Sequence, residues 1–598
     1  MRVRWGILVA VYILHGIHFS PSDALFPHLT MLLNSLWQVV ASALLVTAAT
    51  PTKTVTKRAT GASDAAHPFV TVKDGQFIVN GSTLNFVGTN AYWLAALNSD
   101  DDIDFTLGNM SAKGIRVVRT WAFNDVETIP ENGTWFQLIA NGTTTVNEGS
   151  NGLQKLDTVV RLAEKHGILL HLSLTNNWNP RPLLENNVTG IIIEGRDVTN
   201  GTGNNLPRNT LSNDYGGMDV YVRQFGSGNL SSHDEFYTNP VIISKFLNYT
   251  TQIVSRYANN TSVEIANDPR CNSSMKASPN CNTMTVTRFH QNVTDHIKSI
   301  DKNHLVASGN QGFFCTNCTK IFPRVPPPQT SPRPGRRSNM VKPLTMRKLF
   351  DDRKLAFKKS RALRQKTNPP TGGIRIRGRW MSTETRRQSF DMQNMGPAFD
   401  GSQGVDSEDI INIPGLDFGT FQLFPDQNSY GPDDPNLPAF NNTVNQGLAW
   451  IQLHASLGKL FNKPIILNGF GLVTQNNSQS FVPFNSSLAP FGADTGTTQA
   501  PFGVTDQQRD DAYTQWLQAG LEGGLQGMLQ YQWSQGNLTT QVGTAISPPV
   551  AGTGVSPDIA GTGVSPDDGY AIQGQAFDNV TGIIQSFSQD FGRDDSSS

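Results

Sequence analysis

TSVEIANDPR, Thr261 to Arg270, is an apolar-alternating run that ends in Asn-acid-Pro-Arg just before Cys271. Such a run is expected of a barrel strand whose last side chains are delivered into a pocket at its C-terminal end. Val263, Ile265 and Asn267 share one parity, and Glu264, Ala266 and Asp268 share the other. Period two therefore places Glu264 and Asp268 on one face, about 13 Å apart at ~3.3 Å per residue. Pro269 cannot donate to a ladder, so the strand is expected to stop there.

Working outward, the chain alternates apolar runs with helical patterns. Runs at 84–93, 115–125 and 168–178 precede the opening stretch, and runs at 305–314, 415–426, 464–473 and 527–533 follow it. Helices are expected over 101–114, 152–166, 240–258, 285–300, 445–461 and 506–522. Eight strands with intervening helices predict an α/β fold, a single (β/α)8 TIM barrel over 65–590, with its chemistry at the C-terminal strand ends.

Asn267-Asp268-Pro269-Arg270 resembles the Asn-Glu-Pro-Arg that closes the fourth barrel strand of secreted fungal endo-β-1,4-mannanases of glycoside hydrolase family 5. The resemblance runs across nearly all of residues 68–590 outside one insertion. It implies that Asp268 stands at the general acid/base position and that Asn267 holds the sugar 2-hydroxyl. It also places the nucleophile directly before an aromatic and a Gly at the end of strand seven, where this chain reads Leu467-Asn468-Gly469-Phe470-Gly471. Retaining hydrolysis uses two carboxyl groups about 5–5.5 Å apart, one to protonate the leaving oxygen and one to attack the anomeric carbon. The nucleophile position, Gly469, has no side chain. Asn468 is expected to point to the opposite face, and an amide is a poor nucleophile. Asp268 is one methylene short, and positioning errors near ~1 Å cost about 100-fold. The expectation is a family reaction that is crippled, or a non-catalytic mannan-binding pseudoenzyme. Asp125 and Asp426, near the ends of strands two and six, are the acids best placed to substitute; each is otherwise an ordinary cap or loop ligand.

The same resemblance assigns sugar binding to Arg119, whose ordinary alternative is pairing with a barrel carboxylate. Tyr92, Trp93, Trp121, Trp178 and Trp533 end strands or begin the loops after them, where aromatic faces stack on pyranose rings. Tyr531 competes with Trp533 for the strand-eight platform because the two share parity. Gln422 and Phe424 stand where the family has His and Tyr. No metal or organic cofactor is called for. The partner implied is β-mannan or a related wall polysaccharide, bound by a monomer without nucleic acid or membrane.

Residues 1–58 read as a signal peptide and pro-segment. One apolar stretch starts at Gly6, a second begins at Met31, the expected true initiator, and Lys57-Arg58 is a dibasic cleavage pair. Asn-x-Ser/Thr acceptors at Asn80, Asn132, Asn141, Asn187, Asn248, Asn292, Asn441 and Asn537 accord with export, so a secreted, extracellular glycoprotein is expected. Cys271, Cys281, Cys315 and Cys318 permit three pairings. Cys271 with Cys281 and Cys315 with Cys318 is favoured, each pair falling in one loop, whereas zinc would need other spacings.

The whole chain has a net charge of −1, yet residues 324–387 carry 19 Lys and Arg against 3 acids, so the remainder stands at about −17. This basic insertion, 324–390, starts as a Pro-rich linker and reads as a solvated excursion or as an arm docking on an acidic surface. AGTGVSPD occurs at Ala551–Asp558 and again at Ala560–Asp567, a local duplication with no function assigned. Residues 591–598 are expected to be a disordered tail.

Overall fold

The eight runs fold as parallel strands of one sheet, buried where their side chains are described except at the half-buried Leu169, as parallel strands covered by helices on one side and core on the other must be. In this computed structural model the residues described are 69–131, 133–180, 209, 211–228, 231–258, 262–264, 266–324, 355, 374–376, 379–381, 396–478, 480–481, 503–539, 563–572 and 578–592. The barrel strands are β1 (Phe86–Asn90), β2 (Val117–Trp121), β3 (Leu169–Ser173), β4 (Ser262–Glu264), β5 (Val306–Ala307), β6 (Gly419–Leu423), β7 (Ile465–Phe470) and β8 (Gly527–Gln530). Their order is β5-β4-β3-β2-β1-β8-β7-β6. The two ends meet: Ala307 bridges Phe418 in parallel, and Asp417 both donates its N–H to Val306 O (2.9 Å) and accepts the Val306 N–H (2.7 Å). The expected (β/α)8 barrel is the observed fold.

The strands are shorter than their apolar runs, because each run also supplies the turn that leaves the barrel. Strand β4 ends at Glu264, a parallel bridge joins Asn267 to Asn176, and Asp268 adopts a left-handed φ of 53°. The alternation read through Asp268 therefore does not hold: the chain turns before it. Strand β5 is two residues long, and Gly309 (φ 74°) and Gly312 (φ 94°) take up the rest of its run as a turn.

Helices α1 (Asp100–Ala112), α2 (Leu153–Lys165), α3 (Pro240–Arg256), α4 (Thr283–Ile300), α5 (Ala439–Phe461), α6 (Asp506–Gly523) and α7 (Asp578–Phe591) surround the sheet. Their starts are encoded locally. Ser99 accepts the Asp102 N–H at 3.1 Å with three Asp residues in the first turn of α1, and Thr505 and Gln508 form a reciprocal capping box on α6. The N-terminal mouth is closed by a small apolar cluster in which Phe77, from a hairpin ahead of β1, packs with Phe86 and Phe418.

Both disulfides form as favoured, Cys271–Cys281 and Cys315–Cys318. Among the described residues no helix is long and apolar enough to cross a membrane, and no group of three metal-ligating side chains comes together. Residues 1–58 and 593–598, the repeat at 551–558 and nearly all of 324–390 lie outside the described residues. The exceptions in the insertion are Arg324, Leu355 and a two-stranded antiparallel pair, Ile374–Ile376 with Arg379–Met381.

Candidate active site

The C-terminal ends of the strands surround a cleft that is open at its mouth. Its lining includes Arg119 from β2, Trp178 after β3, Asn267 and Asp268 after β4, Gln422 and Phe424 from and after β6, Gly469 from β7, and Tyr531 after β8. Sequence positions more than 400 residues apart along the chain are thus gathered where barrel logic expects them.

Asp268 is buried, and both of its oxygens are occupied. Trp178 Nε1 donates to Oδ2 at 2.8 Å, Arg270 Nε donates to Oδ1 at 2.9 Å, and a second Arg270 nitrogen closes the bidentate pair on Oδ2. The left-handed turn at Asp268 and the Pro that follows it bring Arg270 back onto its own neighbour. Arg270 is itself sandwiched, its guanidinium carbon 5.2 Å from the Trp178 ring and 4.9 Å from Phe313. A general acid has to turn an O–H toward the leaving oxygen. Here that carboxylate is committed to a fork-shaped cation.

Asn267 is equally engaged. Its Oδ1 accepts from Arg119 (2.8 Å) and Gln422 Nε2 (3.1 Å), and its Nδ2 donates to Asn176 Oδ1 (2.8 Å). Arg119 also donates to Asn90 Oδ1 at 3.1 Å, and Gln311 donates to Gln422 at 2.9 Å. A continuous amide and guanidinium network therefore ties β1, β2, β4 and β6 across the floor.

Opposite Gln422, on the neighbouring strand, stands Gly469, next to a register irregularity in both pairings of β7. A Cβ placed on Gly469 would lie 3.2 Å from Phe424 Cζ and 3.5 Å from its Cε2. The Phe424 ring thus borders the space that a side chain at Gly469 would enter, and it packs edge-on against Tyr531 and Tyr570. Asn468 does not line the cleft; its carbonyl accepts from Asn90 Nδ2 at 3.2 Å.

Of the five aromatic platforms expected, the cleft keeps Trp178. Trp93 and Trp121 are buried core side chains; Trp121 stacks on Tyr92 and donates to Ser212 O at 3.2 Å. Trp533, also buried, turns its Nε1 to Gln535, and Tyr531 takes the strand-eight place in the lining. Their shared parity was no guide, because β8 ends at Gln530 and alternation stops with it.

The two substitute acids are not in the lining. Asp125 is buried beneath Gln137, which donates to it at 3.1 Å. Asp426 accepts the Val473 N–H at 3.1 Å, and burial pushes its carboxyl up to about 7. The acid that does join Asp268 in the lining is Asp568, which the reading of the sequence passed over. It accepts the Tyr531 hydroxyl at 2.8 Å; burial pushes its carboxyl up to about 7, with the adjacent Asp567 adding to the rise and the Tyr531 hydroxyl opposing it. The signal available was the acid pair before Gly569 and Tyr570, at the close of the second AGTGVSPD repeat.

Comparison with known proteins agrees with this architecture. Residues 67–330 match the family model described as GH family 5 beta-mannosidase-like. Mannan endo-1,4-beta-mannosidase A of Aspergillus aculeatus is 35% identical over 241 residues, which are 40% of this chain and 52% of that protein. Its counterpart of the same name from Hypocrea jecorina is 27% identical over 459 residues, 75% of each chain. The match thus spans about half the length of the first relative and three quarters of the second. The solved endo-1,4-beta-mannanase of Rhizomucor miehei shares the fold, with a TM-score of 0.52 at 22% identity over 88% of this chain and 99% of that one. Over residues 67–330 the chain is thus similar to the glycoside hydrolase family 5 beta-mannosidase-like proteins, and its closed eight-stranded barrel is the fold of the solved endomannanase.

Proposed function

We propose that this protein acts in the extracellular space on β-1,4-linked mannan, chiefly by binding it, with hydrolysis of the mannosidic bond very slow or lost. The observation that carries this reading is Gly469 bordered by the Phe424 ring where the family resemblance puts the attacking carboxylate. In a protease triad, removal of the nucleophile cost about 10⁶ in rate. Asp268, bound by Arg270 and Trp178, supports the same conclusion from the acid side. The polar floor of Arg119, Asn267 and Gln422, with the Trp178 and Tyr531 rings beside it, suits a neutral, hydroxyl-rich ring. Two local disulfides accord with an oxidising compartment. Residual hydrolysis is the second reading, favoured by the presence of a second carboxyl, Asp568, in the lining.

Titration of galactomannan against the purified protein, with reducing ends assayed in parallel, separates the two. Saturable binding without product supports the binding reading. Turnover that disappears in Asp268→Ala or Asp568→Ala restores the enzyme.

A further inference from the structure

Asp568 stands out among the cleft residues because its surroundings suit a neutral group rather than a charge. The residue is buried, with 6% of its surface exposed. One oxygen accepts the Tyr531 hydroxyl, while Oδ1 is shut off from solvent and has no hydrogen-bond partner among the described residues. The titratable groups that face it are three tyrosines and one acid: Tyr92, Tyr531, Tyr570 and Asp567. Arg119 is the cation felt on this side; it acts on Tyr531 and donates to Asn90 and Asn267. The Ser212 hydroxyl also lies against the carboxyl. An ionised carboxylate there is poorly solvated and stands next to a like charge.

Tyr531 is the link between this carboxyl and the cleft. Its ring lines the lumen beside Gly469 and Phe424, stacks on Tyr92 at 6.2 Å, and is anchored at its hydroxyl by Asp568 and Ser212. A saccharide ring seated on Tyr531 would cover what exposure Asp568 retains.

Resting on the mannan-binding reading above, we propose that Asp568 is a positioning residue for glycan recognition: it holds Tyr531 as the sugar platform through the hydroxyl bond, and a docked saccharide buries its carboxyl further, so binding takes up a proton at Asp568. Because a docked ring adds desolvation, the complex favours the neutral carboxyl more strongly than the free cleft does. Affinity is then highest in acid and falls as pH rises through neutrality, where the free carboxyl, raised to about 7 by its burial, ionises. Each unit by which the ligand raises that carboxyl changes affinity about tenfold.

The test is calorimetric titration of mannohexaose at about pH 5 and about pH 8.5, for the whole protein and for Asp568→Asn, with thermal unfolding of the variant run alongside. The wild type is expected to bind about tenfold more weakly at the higher pH. At pH 7 its binding enthalpy should vary with buffer ionisation enthalpy, as uptake of a proton requires. Asp568→Asn, neutral at every pH and able to accept from Tyr531, should bind within about threefold of the acid wild type at both. Wild-type binding that is present but flat with pH, or an equal fall in the Asn variant, overturns the inference and leaves the mannan reading standing. No binding of mannohexaose at either pH sinks the reading and the inference together. If the variant fails to fold, the wild-type pH and buffer series decides alone.

Discussion

The β2–β4 side of the cleft is a bonded polar surface, Arg119 and Asn267 each held by at least one named partner, whereas the β6–β7 side, beyond Gln422, presents Phe424 and the bare backbone of Gly469. Binding a neutral polyol asks for the first kind of wall. Breaking its glycosidic bond asks for charge at the second. On the proposed reading, recognition and reaction occupy separable parts of one barrel mouth, so one can be kept while the other is replaced.

The strongest way to test the contrast is to restore the reacting side. Gly469→Glu with Asp268→Glu should stay as inert as the wild type, because a Cβ at 469 already meets Phe424. Adding Phe424→Ala should raise release of reducing ends from mannan by at least about 100-fold. A folded triple variant that binds mannan and still releases nothing would show that these positions are not the reaction site.

Next in size is Asp268→Ala. If Asp268 now serves the fold as the partner of a buried Arg, its loss should lower the unfolding free energy in urea by about 3–5 kcal/mol. A change below about 1 kcal/mol would mean that Arg270 is satisfied by other groups, and that Asp268 is freer to act as an acid than its contacts indicate.

On the polar side, Asn267→Ala unties Arg119 from Gln422 and should weaken mannohexaose binding by about 1–3 kcal/mol with little effect at the β6–β7 wall. Unchanged affinity would locate recognition elsewhere in the cleft.

The smallest effect is expected at Asp426, a half-buried residue whose carboxyl is raised to about 7 by desolvation. A raised carboxyl binds its proton more tightly in the folded chain than in the unfolded one. Its contribution to stability is therefore complete below about pH 4 and lost as pH climbs to about 7. Asp426→Asn should match the wild type in Tm near pH 4 and exceed it by a few degrees, roughly 2–4 °C or more, near pH 8. Equal Tm values at both would show that the carboxyl is hydrated in solution.

The barrel was legible because its strands are unbroken apolar runs followed by capped helices. Positions for the acid and the nucleophile could be expected from the sequence because the resemblance sets them at fixed offsets from Pro269 and Phe470. What could not be read lies past the strand ends, where period two no longer governs. Trp93 and Trp121 turned into the core and Trp533 away from the lining for that reason, and Asp268 left the face assigned to it when the backbone took a left-handed turn. Asp568 was invisible for a different cause: it approaches Tyr531 from 37 residues further along the chain, past a stretch of sequence without helix or strand periodicity.

The seam between β5 and β6 has a consequence for how this chain tolerates change. Phe314 N–H donates to Ala398 O at 2.9 Å, Cys315 bridges Asp400, and the Ile321 and Phe322 N–H groups both reach Asp409. Whatever leaves the barrel after 324 is thus returned to its point of departure by 396, stitched on both edges. The entropic penalty of such a closed detour grows only with the logarithm of its length. The strands on either side would scarcely register whether the traffic between them is ten residues or seventy, so this junction is a port at which cargo can be exchanged without rebuilding the vessel.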